Sequence, residues 1–362
     1  MSYPGVQAAR REPADDVAHV RDADGSPAVD GDPFHERRPR RHSIRRQVLG
    51  GRFCFESDSE ALLQLVEAAY GDLPSTAAEG PEFLVELSLA SRRDVPAAME
   101  EPPPVRTRAG AGFVCGVMDA ANYAVLFPAE RRALVAASHD MLGHPYHLRY
   151  ELIEFAVFVL AARGMGLVPL HGACVGRHGR GVLLLGASGA GKSTLALHCL
   201  LRGLDFLAED AVFVRPDTLL ATGVANYLHL RTDVLRLVDG ATGAWIGAAP
   251  VIRRRSGVEK FEVDVRRGPQ SSTAASLELV AAVSVCGEPA ADPDALLRSV
   301  PADEIPACLS ADQAYAAGQP GWDHFARQLQ RRGVYRLARG RHPQAAADAL
   351  LQLLDRSACA LP

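Results

Sequence analysis

The octet Gly186-Ala187-Ser188-Gly189-Ala190-Gly191-Lys192-Ser193 constrains the fold of this chain more than any other stretch. It is a complete G-x-x-x-x-G-K-[ST] phosphate loop. The apolar run Val182-Leu183-Leu184-Leu185 precedes it and Thr194-Leu195-Ala196-Leu197-His198-Cys199-Leu200-Leu201 follows it, so the local order is strand, glycine loop, helix. Such a loop works because its glycines let backbone N–H groups turn inward onto phosphate oxygens, while the helix N-terminus adds partial positive charge. Residues Gly186 through Thr194 are the expected nucleotide cradle. Lys192 would reach the outer phosphates, and the Ser193 hydroxyl would complete an Mg²⁺ shell. Only Lys192 and Lys260 are lysines among 39 basic residues. In a chain that otherwise uses arginine, a lysine here indicates a need for a compact ammonium, which a planar guanidinium does not replace.

With 362 residues the chain has room for roughly two domains and ample apolar content for a core. A net charge of −4 gives no reason to expect nucleic acid or a membrane surface as partner. There is no run of about 18 apolar residues, and the first residues are polar and charged. The seven cysteines are scattered without a C-x-x-C pair. The expectation is a cytoplasmic protein with reduced thiols, in which Cys174 and Cys199 serve as small core residues.

Residues 1–45 are rich in Arg, Asp, Pro and Ala and read as a disordered tail. Residues 46–145 alternate short apolar runs with Pro/Gly breaks. Strands are expected at Arg52–Phe55, Glu82–Leu87, Phe113–Val117 and Tyr123–Phe127, and a helix capped by Asp58 or Ser59 runs to about Tyr70. This reads as a small α+β domain without a catalytic constellation. The second domain, 146–362, opens on an apolar helix at Arg149–Arg163. Strands are expected at Leu170–Val175, Gly181–Leu185, Asp205–Ala208 and Ala211–Val214, with a helix at Ser193–Arg202 closed by Gly203. Further strands fall at Tyr227–Leu230, Glu259–Val265, Leu277–Cys286 and Val334–Leu337, before a closing helix at Gln344–Leu354.

Three features flank the loop. His171 opens the preceding strand, 21 residues before Lys192; Glu209 and Asp210 end the strand after the loop helix, 17 and 18 residues beyond it. Carboxylates at the end of a neighbouring strand are where a metal ligand is expected. Lys260 follows the basic run Arg253–Arg255, and a flexible basic loop of that kind could close over the outer phosphates.

His171-Gly172, a strand, the Gly-x-Ser-Gly-x-Gly-Lys-Ser loop and a helix followed by an acidic pair resemble the catalytic domain of the HPr kinase/phosphorylase family. The resemblance spans about Leu167–Val214 well and the rest of the second domain loosely. It implies an α/β phosphoenolpyruvate carboxykinase-like P-loop kinase fold, use of ATP and Mg²⁺, and frequent oligomers. The chain departs from the family in having Glu209 as the first member of the acidic pair. In place of the family's Leu-Glu-x-Arg-Gly it has Leu228-His229-Leu230-Arg231-Thr232. It is closer to divergent HPr-kinase-like proteins, some of which phosphorylate a serine on the precursor of a ribosomal peptide.

Phosphoryl transfer needs positioning, charge neutralisation and a group to take the acceptor proton. Lys192, the loop amides and Mg²⁺ supply the first two. Asp210 is the preferred Mg²⁺ ligand with Ser193, either carboxylate of the pair could take the proton, and His171 could hold the base or touch the γ-phosphate. Lys260 is a second nucleotide contact, and Arg231 a weaker candidate. The leading expectation is a kinase acting on a serine hydroxyl of a small protein or peptide. A kinase of a small-molecule hydroxyl and an ATP-binding sensor or ATPase are the alternatives.

Overall fold

Val182 to Leu185 are each at most 2% exposed, because the strand Arg180–Leu185 lies inside a nine-stranded mixed sheet. Ser276–Pro289 pairs with it in parallel on one side and Ala173–Arg177 antiparallel on the other. A strand covered on both faces reads as a continuous apolar run, as this one does. The computed structural model describes residues 42–76, 80–90, 101–292 and 295–359, all within one compact unit.

Alternate side chains of the central strand point to two different cores. Val182 and Leu184 pack with Leu195, Leu197 and Leu200 of the loop helix Lys192–Leu201 and with Leu350 of the closing helix Pro343–Cys359. Leu183 and Leu185 pack with Phe325 and Leu329 of the helix Trp322–Arg332. Burial pushes the thiols of Cys174 and Cys199 well up, and both are free, as expected of core residues. The sheet runs Asp205–Ala208, Ala173–Arg177, Arg180–Leu185, Ser276–Pro289, Leu220–Gly223, Ala211–Val214, Val168–His171. Val334–Arg339 extends it beside the later residues of Ser276–Pro289.

A seven-stranded sheet comes before it in the chain. Its order is His42–Val48, Gly51–Ser57, Glu82–Ala90, Arg132–Ser138, Tyr123–Phe127, Phe113–Val117, Arg106–Gly110. The helices Glu60–Tyr70 and Glu154–Met165 join its core through Leu62, Val66, Ala156, Val157 and Leu160. Phe158 also meets Phe213 of the nine-stranded sheet, with ring centroids 5.0 Å apart. A third sheet of three strands, Tyr227–Leu230, Glu259–Asp264 and Val251–Arg253, stands beside the loop helix.

Several boundaries differ from the expectations. The segment 42–45, placed in a tail, is strand, tied by backbone pairing to Gly51–Ser57; residues 1–41 lie outside the described residues. Ser59 occupies the position before the helix, but its side chain makes no capping bond, and its N–H is taken by Ser57 Oγ at 3.0 Å. The expected strand Leu170–Val175 is two strands broken at Gly172, which pair with different partners. There a Cβ would lie 2.7 Å from the Leu184 carbonyl oxygen. The apolar helix begins as a π-turn, Leu148–Ile153, and continues as α-helix Glu154–Met165. No described helix is long and apolar enough to cross a membrane.

Candidate active site

The glycine loop leaves the sheet at Gly186, whose φ of +137° suits glycine alone; a Cβ there would also lie 2.6 Å from the Val285 carbonyl oxygen. Gly191, at φ +103°, caps the helix that starts with Lys192. The Lys192 ammonium folds back to donate to the carbonyl oxygens of Gly186 at 2.6 Å and Ala187 at 3.3 Å. Burial pulls its pKa down, against the opposing charges of Asp210, Asp312 and Glu209.

Glu209 and Asp210 form the turn between Asp205–Ala208 and Ala211–Val214, and their side chains go separate ways. Glu209 is buried behind the loop. It accepts the Ser193 hydroxyl proton on Oε1, and on Oε2 both the His229 backbone N–H (2.9 Å) and Nδ1 (2.8 Å). Asp210 faces solvent space and accepts from Arg254 Nη2 at 2.7 Å. Burial tends to raise the Asp210 pKa, but the ion pair with Arg254 outweighs it and holds the carboxyl low.

His229 carries the connection deeper. Its Nε2 is 3.0 Å from Tyr150 Oη, which donates to Glu262 Oε1 at 2.9 Å; Arg149 also donates to Glu262. Burial disfavours the His229 cation, yet the Glu209 carboxylate and the bonds to Glu209 and Glu262 push its pKa up to about 9. One proton order satisfies every contact: imidazolium Nδ1–H to Glu209, Nε2–H to Tyr150, and Tyr150 O–H to Glu262. Arg149 and Tyr150 lie in the π-turn, so that irregular helix start is bonded, through this chain, to Ser193 of the loop.

The loop opens on a cleft of about 1280 Å³. Among the residues placed in the site from sequence, Ser188 through Thr194, His171, Asp210 and Lys260 line it together. Gly186 and Ala187 reach the site through their carbonyl groups, and Glu209 stands behind Ser193. His171 closes its strand rather than opening one, because the chain breaks at Gly172. Its backbone is held by the buried Gln313 amide, which accepts from His171 N (2.9 Å) and donates to His171 O (2.7 Å). The basic run divides. Arg254 faces the cleft, while Arg255 turns away to Glu151 and to the carbonyl oxygens of Pro102 and Pro103. Arg231 is exposed at the rim, 4.0 Å from Asp233.

His229, Arg254 and Gln313 were not singled out from sequence. His229 was visible as the odd member of Leu228-His229-Leu230-Arg231-Thr232, and Arg254 as part of a basic run. Gln313 had no signal, since its partner is 142 residues away. Ligand atoms of Glu209, Asp210 and His229 lie within 4.8 Å of one another. For a hard cation such as Mg²⁺ the oxygen donors suit and the imidazole does not, because Nδ1 is committed to Glu209. A hydroxyl that donates to Glu209 keeps its lone pairs for a cation, so Ser193 fits as well.

No family model matches the chain. Curated relatives do. HPr kinase/phosphorylase of Listeria welshimeri is 32% identical over 105 residues, covering 27% of this chain and 34% of that protein. The HPr kinase/phosphorylase of Caldicellulosiruptor bescii is 51% identical over 64 residues, covering 18% and 19%. The solved Hpr(Ser) kinase/phosphatase of Coxiella burnetii aligns over 53% of this chain and 90% of that one, at 18% identity and a TM-score of 0.28. The chain spans about a third of the length of the Listeria relatives it matches. Within that extent, the chain is similar to HPr kinase/phosphorylases.

Proposed function

We propose that the protein is an ATP- and Mg²⁺-dependent kinase that transfers the γ-phosphoryl group to a hydroxyl of a polypeptide, with serine the preferred acceptor. The observation that carries this reading is the division of the acidic pair around the glycine loop. Glu209 orients Ser193 from behind, and Asp210 faces the cleft with Lys192 and His171. Ser193 and Asp210 would hold the Mg²⁺ together with nucleotide oxygens, and the ion would supply positive charge against the phosphates. Lys192 leaves the loop carbonyls for the phosphates, and Lys260 and Arg254 add charge from the facing hairpin. In the transfer, the bond from γ-phosphorus to the bridging oxygen breaks and a bond to the acceptor oxygen forms. The hydroxyl proton passes to the Asp210 carboxylate. The mixed sheet around Arg180–Leu185 supports a phosphoenolpyruvate carboxykinase-like arrangement over a doubly wound parallel sheet. The curated relatives support kinase over sensor.

Labelled ATP incubated with serine-containing polypeptides tests the reading. Transfer is expected for the natural chain and absent in Lys192→Ala, whose loss of phosphate charge stabilisation costs at least ~10²-fold. Equal labelling by Lys192→Ala, or release of free phosphate with no labelled polypeptide, would overturn it.

A further inference from the structure

A second cavity, of about 540 Å³, lies beyond the first, and His171 and Asp210 line both. Phe155, Phe158, Val159, Phe213 and Ala316 give it a largely apolar lining, in which the Phe158 and Phe213 rings meet. Along its rim runs the strand Arg106–Gly110, whose five residues are all exposed. That strand ends the seven-stranded sheet, and no described strand pairs with its outer edge. An open edge presents unpaired N–H and C=O groups to any extended chain that reaches it.

The charge at this cavity is specific. Arg108 and Arg163 line it, and neither forms an ion pair with a described residue. Asp312 also lines this cavity, held at φ +56° next in sequence to Gln313, whose amide clamps His171. Its charge acts on the Lys192 ammonium. Glu209 is occupied by Ser193 and His229, and Asp210 by Arg254. Asp312 has no hydrogen-bond partner among the described residues, so it is free to accept from a group entering by the second cavity.

We infer that this cavity is the acceptor groove, and that its occupant is an extended polypeptide segment. The inference rests on the kinase reading above and names its substrate class. The segment lies along Arg106–Gly110 by strand addition and seats one apolar side chain between Phe158 and Ala316. It presents acidic residues to Arg108 and Arg163. Its hydroxyl enters beside Asp312, which orients it toward Asp210. Because His171 and Asp210 line both cavities, a nucleotide in the first and a peptide hydroxyl in the second would meet at the same two residues.

The test uses the full chain and a library of short peptides, each with one serine flanked by varied residues. Anisotropy of fluorescent library members reads docking independently of chemistry. The expectation is binding of acidic–apolar peptides, weakened about tenfold or more by Ala109→Trp on the rim strand and by Tyr315→Ala in the cavity lining, with ATP affinity and thermal unfolding retained. Arg108→Glu should turn the preference from acidic toward basic peptides. No peptide binding, binding indifferent to all three changes, or competition only by small hydroxylated compounds would overturn the groove. Labelled ATP then separates the two claims. Docked peptides that take no label defeat the kinase reading and leave the groove standing. Label transferred equally by the groove variants defeats the groove and leaves the kinase.

Discussion

Glu154 offers the sharpest physical test of the buried network behind the loop. It is 5% exposed at the start of the α-helix that follows the π-turn, and its Oε1 has no hydrogen-bond partner. Burial, opposed in part by Arg149, raises its pKa from 4.5 to about 7. The folded protein thus holds a proton on Glu154 that the unfolded chain releases at lower pH. Stability from this group is complete below pH 4.5 and is lost as pH rises through about 7. At 1.36 kcal/mol for each unit of difference, the loss sums to about 3 kcal/mol. Glu154→Gln keeps the shape and removes the titration. Its stability relative to the natural chain should therefore improve by about 3 kcal/mol between mildly acid and mildly alkaline pH. Urea unfolding of both proteins at matched pH values measures this, since other titrating groups cancel in the difference. A difference that stays flat across that range, or that falls, would refute the burial argument.

Two further outcomes follow from the site. Glu209→Ala takes from buried His229 the nearer of its two carboxylate partners, leaving Glu262 3.6 Å from Nε2, and should cost up to about 3 kcal/mol of stability. Adding His229→Ala should restore part of the loss, so that thermal unfolding of the double variant falls short of the sum of the single ones. Gly186→Ala puts a Cβ against the Val285 carbonyl and strains the backbone by about 1–3 kcal/mol. It should lower the melting temperature and weaken ATP binding together, read by calorimetry with and without nucleotide.

The sequence alone determined the loop, its strand and its helix, because all three are written in consecutive residues. Val182–Leu185 is apolar through burial on both faces, and the glycines that follow admit the φ values the turn requires. It also placed the acidic pair at a strand end, since a short helix and a short strand leave little freedom in between. Tertiary structure decided what these residues do to one another. Glu209 and Asp210 are adjacent in the chain, yet one is buried against Ser193 and His229 while the other meets Arg254. Successive residues in an extended turn point opposite ways, and only the packed neighbours show which direction is inside. His171 ends a strand instead of starting one because Gly172 sits against Leu184, a contact between separate strands. The two cavities meet at His171 and Asp210, and Gln313 holds the His171 backbone there from 142 residues away. Pairings at that separation leave no periodicity in the chain, so they become visible only when the sheets are assembled.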